Sequence, residues 1–154
     1  MFIFRTLIIA LSFFSCIAHA DVFLKDNQGN TIPFSTLKGK WVFINYWASW
    51  CPGCLQEIPQ FNQFYAKHKK NEVALFAVNF DGLPLSEQNS LIKRFHIQYP
   101  SLSQDPSEDL RLGDIRGIPV TFVFNPAGLL VKTLYGGQTS AQLQQVMSHN
   151  AKTA

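Results

Sequence analysis

The chain has 154 residues, of which 47% are hydrophobic and 15% charged, with a net charge of +3. That length suits one domain with a real core, and so small a positive excess gives no electrostatic basis for nucleic-acid binding. The one cationic run, Lys67, His68, Lys69 and Lys70, falls where a helix is expected to end, and positive charge suits that terminus.

Residues 1–20, MFIFRTLIIALSFFSCIAHA, have the layout of a cleaved secretory signal. Arg5 precedes an apolar run from Leu7 to Ile17, and Ala18 and Ala20 flank His19 in an A-x-A arrangement. The apolar run is short for a bilayer span, so a retained anchor is the weaker alternative. Cys16 belongs to this hydrophobic segment, since Phe13, Phe14 and Ser15 before it match a lipid-attachment signal poorly. Residues 21–154 then form one domain.

Val22 to Leu24 and Thr31 to Phe34, around the turn DNQGN, read as a short hairpin. WVFINYW, residues 41–47, is aromatic and β-branched enough for a buried central strand. A helix follows to about Lys70, carried by Leu55, Ile58, Phe61 or Asn62, and Tyr65, with Pro59 kinking it. VALFAVNF, residues 73–80, is a second buried strand. The spacing of Leu91, Ile92 and Phe95 predicts a helix over 85–96, and Asp105-Pro106 looks like the start of another short one. Residues 120–135 form a hairpin about a Pro-x-Gly turn. Thr139 and Gln142 make a capping box for a last helix that buries Leu143, Val146 and Met147. Strands alternating with helices imply an α/β sandwich with helices on both faces.

The chemistry centres on WASWCPGCLQEIP, residues 47–59. Outside the signal only Cys51 and Cys54 remain. Their bond would close almost no loop, which makes a purely stabilising staple a poor account. A structural zinc site needs further Cys or His ligands, and His68, His96 and His149 stand apart in different segments. Haem attachment through this motif would need His where Leu55 stands. A reactive dithiol fits best. Cys51 falls near a helix N-cap, with Pro52 suited to the first helical position, and the helix terminus favours thiolate over thiol. Cys51 is therefore the expected nucleophile and Cys54 the resolving thiol.

WASWCPGC after a buried strand, with Gly117-Ile118-Pro119-Val120-Thr121 before the last hairpin, resembles the thioredoxin superfamily. LKGKWVFINYWASWCPGCLQEIPQF and IPVTFVFNPAGLLV are similar to its exported TlpA/ResA-like branch. The resemblance implies a three-layer thioredoxin-like sandwich, a central mixed sheet and an N-terminal β-hairpin extension. It implies a cis Ile118-Pro119 bond, with Pro119 facing the sulfurs and the backbone at Ile118 pairing with substrate. Trp47 and Trp50 would pack around the motif, and Trp50, Pro52, the 81–85 loop and Gly117 would shape specificity. Thioredoxin carries a buried acid where this chain has Asn45, which cannot exchange a proton. Glu57, three residues after Cys54, matches an acidic position of the TlpA/ResA-like branch and is a candidate proton shuttle beside the resolving thiol.

Neither residue between the cysteines is cationic or His, which favours a reducing pair: a periplasmic protein-disulfide reductase, with cytochrome c maturation a role known in that branch. It would be kept reduced by a membrane thiol donor of DsbD type. No cofactor or metal is implied. Oxidation or isomerisation of secreted proteins is the same-class alternative. Peroxide reduction fits poorly, because Ala48 stands where a peroxidatic Thr is expected, and so does a Cu(I) chaperone, whose relatives add a distant His and space their cysteines more widely.

Overall fold

The computed structural model describes residues 21–70 and 72–150. The expected signal segment, with Cys16, lies outside them. In chain order the elements are β1 (Phe23–Lys25), β2 (Thr31–Pro33), a 3-10 helix (Phe34–Leu37), β3 (Trp41–Trp47), α1 (Pro52–His68), β4 (Val73–Asn79), α2 (Leu85–Arg94), β5 (Ser101–Leu102), β6 (Val120–Phe124), β7 (Leu130–Tyr135) and α3 (Ser140–Asn150). Among the described residues no helix is long and apolar enough to cross a membrane.

The main sheet runs β5-β4-β3-β6-β7, with β3, β4 and β5 parallel and β6 and β7 antiparallel. Because β3 is central, apolar side chains are buried on both of its faces. Phe43 and Trp47 join Val73, Leu75, Ala77 and Val123 beneath α1, whose Ile58, Phe61 and Phe64 pack into the same cluster. α2 and α3 lie on this face too, through Leu91, Ile92 and Phe95 and through Leu143, Val146 and Met147.

The opposite face, built on Val42, Ile44, Tyr46, Phe76 and Phe122, has a thinner cover. Leu24 and Ile32 of the hairpin, Phe34 and Leu37 of the 3-10 helix, and Leu110, Leu112 and Ile115 close it. The short helix expected at Asp105-Pro106 is a single helical turn. Leu110 N–H donates to Pro106 O at 2.9 Å, and the turn stops where Arg111 takes φ 52°. The second helix also ends earlier than its periodicity suggests, at Arg94. His96 adopts φ 55°, its N–H meets Lys93 O, and Ile97 N–H returns to Ile92 O at 3.0 Å, a Schellman closure. Pro59 is accommodated inside α1, which continues to His68.

The N-terminal hairpin is anchored by Asp26. Its Oδ1 accepts from the N–H of Gln28 at 2.9 Å and of Asn30 at 2.8 Å, and its Oδ2 accepts from Asn30 Nδ2 at 2.8 Å. Asn27 N–H then donates to Ser101 O and Ser103 N–H to Lys25 O, so the hairpin seals the β5 edge that would otherwise be open. Burial opposes ionisation of Asp26, but the hydrogen bonds from Asn30, Gln28 and Gly29 prevail and hold its carboxyl below the ordinary value. Asp26→Ala strips three acceptor contacts from the turn and should lower unfolding stability by about 2 kcal/mol in urea titrations. An unchanged midpoint would show that the turn is held by its backbone alone.

Candidate active site

The buried strand β3 delivers the chain to the site, and Ser49 fixes the exit. Its N–H donates to Asp81 Oδ2 at 2.9 Å and its hydroxyl to Asp81 Oδ1 at 2.8 Å. Asp81 is itself held by Asn79 Nδ2 at 2.6 Å. Trp50 therefore leaves a pinned stem, and it stands 64% exposed, whereas Trp47 is fully buried edge-on to Phe95. The expected aromatic packing around the motif is thus divided: Trp47 is core, and Trp50 is surface beside the sulfurs.

Cys51 is the N-cap of α1, with Pro52 at the first helical position and exposed. Cys54 N–H donates to Cys51 Sγ at 3.2 Å, one of the free amides of a helix start turned onto sulfur. No acidic side chain lies in this first turn to oppose a thiolate. The two cysteines are joined as a disulfide with Cα atoms 5.3 Å apart. Cys51 is 6% exposed and Cys54 0%, so only Cys51 offers sulfur to an incoming group.

Ile118-Pro119 is cis, and Pro119 lies against the motif: a methyl group added at Gly53 would sit 3.7 Å from Pro119 Cδ. Ile118 is half-buried, wedged between the two hydrophobic clusters. Pro119 O accepts from Gly136 N–H at 2.9 Å, which fixes residues 136–138 as a strap from the cis-Pro strand across the first turn of α1. The Gln138 side chain folds back onto Tyr135 O and Gly136 O and holds the strap's shape.

Beneath the disulfide lies a polar network that sequence reading reached only in part. Glu57, one helical turn after Cys54, is 3% exposed. Its Oε1 accepts from Asn45 Nδ2 at 2.8 Å and its Oε2 from Gln138 N–H at 2.9 Å. Asn45 Nδ2 also donates to Thr121 Oγ1 at 3.1 Å, across the β3–β6 pair, and Tyr99 O–H donates to Asn45 Oδ1 at 3.4 Å. The strand position that lacks an acid therefore binds one supplied by the helix. Burial pushes the Glu57 carboxyl from 4.5 up to about 7, against the lowering effect of Asn45 and Gln138. Burial first, and the Glu57 charge second, raise the Tyr99 phenol. Gln138, Tyr99 and Ser49 were not singled out from sequence; Thr121 entered only within the IPVT run, and Asp81 only within the 81–85 loop expected to shape specificity.

Residues 18–133 match the model of the AhpC/TSA family, and the chain belongs to that family. It is 32% identical over 125 residues to thiol-disulfide oxidoreductase ResA of Bacillus subtilis, covering 81% of this chain and 69% of that protein. It is 35% identical over 127 residues to sporulation thiol-disulfide oxidoreductase A of the same organism, covering 79% and 74%. The crystal structure of StoA from B. subtilis superposes with a TM-score of 0.64 at 33% identity, over 82% of this chain and 95% of that one. An exposed lipoprotein thioredoxin of Streptococcus pneumoniae gives 0.70 at 26%, over 84% and 99%. The fold is thioredoxin-like, and the protein is a thiol-disulfide oxidoreductase.

The raised Glu57 carboxyl has a consequence for stability. Below pH 4.5 it is neutral in both folded and unfolded chains; between 4.5 and about 7 the unfolded chain ionises first, so the folded state holds more protons and stability falls as pH rises. A shift of this size corresponds to about 3 kcal/mol, fully lost above pH 7. In urea titrations of the oxidised protein at several pH values, Glu57→Gln should flatten that fall. Parallel curves for the two proteins would mean that Glu57 ionises normally.

Proposed function

We propose that this oxidoreductase is an exported reductase of protein disulfides, resupplied with electrons by a membrane thiol donor of DsbD type. The observation that carries the reading is Glu57: a nearly buried carboxyl one helical turn from the inaccessible Cys54, hydrogen-bonded to Asn45 and Gln138. A group titrating near 7 beside the resolving thiol suits it to take that thiol's proton at neutral pH.

In the reduced enzyme the Cys51 thiolate, steadied by the helix terminus, attacks a substrate disulfide. The bond from Cys51 Sγ to substrate sulfur forms, the substrate S–S bond breaks, and the departing thiolate takes a proton from solvent. Cys54 then passes its proton to the Glu57 carboxylate and attacks Cys51 Sγ. The Cys51–Cys54 bond forms, the mixed disulfide breaks, and the second substrate sulfur leaves as a thiolate that solvent protonates. Two electrons have moved from enzyme dithiol to substrate. Pro119 closes one side of the sulfurs, the backbone at Ile118 offers pairing to an extended substrate segment, and exposed Trp50 and Pro52 supply contact surface.

Residues 1–20, with their signal-like layout, support export, and so does the similar streptococcal protein, an exposed lipoprotein thioredoxin. A periplasmic site, with apocytochrome disulfides as one substrate class, follows from the TlpA/ResA-like resemblance. The absence of cations and His between Cys51 and Cys54 supports a reducing direction over oxidation or isomerisation.

The equilibrium potential of the Cys51–Cys54 pair against glutathione or dithiothreitol buffers should fall near or below about −270 mV, and a value near −120 mV would reverse the direction of electron flow. Cys54→Ser should accumulate a mixed disulfide with a disulfide-bearing protein substrate on non-reducing denaturing gels, whereas Cys51→Ser should form none. Adducts through Cys54 in the second variant would exchange the two roles.

A further inference from the structure

We propose that Gly137 is the solvent port of the Glu57 carboxyl, the one place where this buried group trades its proton with water. The inference deepens the reading of Glu57 as proton acceptor and rests on it.

The two carboxylate oxygens face different surroundings. Oε1 points inward to Asn45, and everything beyond it is closed: Asn45 is 1% exposed, Thr121 0% and Tyr99 3%. Asn45 has no titratable proton, so that side leads protons nowhere. Oε2 points to the strap, where Gln138 N–H meets it at 2.9 Å. Gly137, the residue before that amide, is exposed to solvent. A Cβ placed on it would lie 4.0 Å from Glu57 Oε2 and 3.6 Å from Gly53 O. The missing side chain therefore leaves a bare-backbone gap between solvent and Oε2, above the first turn of α1.

The gap is not explained by backbone need. Gly136 has φ 79° and requires glycine, but Gly137 has no such conformation, and both distances from its added Cβ are ordinary contacts. A methyl group fits there without strain. Its effect would be on hydration, because it would cover the only outward-facing oxygen of a carboxyl that burial already disfavours as an anion.

The other groups around Glu57 do not offer a second exit. On α1 the titratable neighbours are Cys54, which the mechanism uses, and Cys51. Tyr99 reaches the network from the loop before β5 and is itself buried. From β7 and α3, Lys132 and His149 line a cavity with the Gln138 side chain, but the hydrogen bonds to the Glu57 oxygens come from Asn45 and the Gln138 backbone.

The test is the pH profile of substrate-disulfide reduction by the full chain, followed by stopped-flow fluorescence. Gly137→Ala should move the limb assigned to Glu57 upward by about one pH unit, about a fivefold rate loss at the wild-type midpoint. Gly137→Ser has similar bulk but adds a hydroxyl next to Oε2, and should lie nearer wild type than Ala does. Combined with Glu57→Gln, the Ala substitution should produce no further shift. A Gly137→Ala profile that superposes on wild type, equal effects of Ala and Ser, or a shift that persists without the Glu57 carboxyl would each overturn the port. If Glu57→Gln alone leaves the profile untouched, the role of Glu57 itself falls. Thermal melts of each variant, expected within a few degrees of wild type, separate these readings from misfolding, and the Ser variant keeps the comparison usable should Ala fold poorly.

Discussion

A carboxyl group set between a central strand and the helix that covers it must find hydrogen-bond donors there, and that requirement organises the active end of this molecule. Glu57 meets it with Asn45 from β3 and Gln138 N–H from the strap before α3. Those bonds join three segments far apart in sequence. Asn45 in turn occupies Thr121 of β6 and the Tyr99 hydroxyl. The polar network thus joins β3, β6 and α1 at the disulfide end of the sheet.

The same end of the fold separates two duties. The exposed duty falls on Cys51, capped onto the helix start, with Trp50 and Pro52 beside it. The Ser49–Asp81 clamp holds the turn that delivers them. Behind it lie Cys54 and Glu57, both buried. Sulfur chemistry needs both: a thiolate open to substrate, and a second thiol kept protonated until its turn. Cys54 and the carboxyl one helical turn on are both shut off from solvent.

Much of this was legible in the sequence because local pattern and tertiary role agree. WVFINYW reads as a central strand and is one, Cys51 and Pro52 announce a helix start, and Thr139 with Gln142 caps the last helix as expected. Disagreement arises where a distant partner decides. The apolar periodicity of α1 marks Leu55 and Tyr65, yet the buried stripe runs through Cys54, Glu57, Ile58, Phe61, Phe64 and His68, turned slightly toward the sheet. Nothing local says that Glu57 is inside, since its donors lie 12 and 81 residues away. Asn45 read alone as the loss of an acid, and the family resemblance pointed to Glu57 on the helix; the structure shows the two joined by a hydrogen bond. The helix expected after Asp105 shrinks to a turn because a left-handed Arg111 ends it, and the hairpin and 3-10 helix complete that face instead.

The strap of residues 136–138 connects the two duties physically. Gly136 N–H is held by Pro119 O, on the strand expected to receive substrate, and two residues later Gln138 N–H is held by Glu57 Oε2. With the Gln138 side chain locking the intervening turn onto Tyr135 O and Gly136 O, displacement at one end has little slack to absorb it before the other end. The cis-Pro segment is therefore tied, through two hydrogen bonds and one short turn, to a carboxylate oxygen of Glu57. One piece of backbone thus spans the cis-Pro and the buried carboxyl, and a strap of two glycines and a glutamine, remote from the CxxC motif in sequence, sits against both.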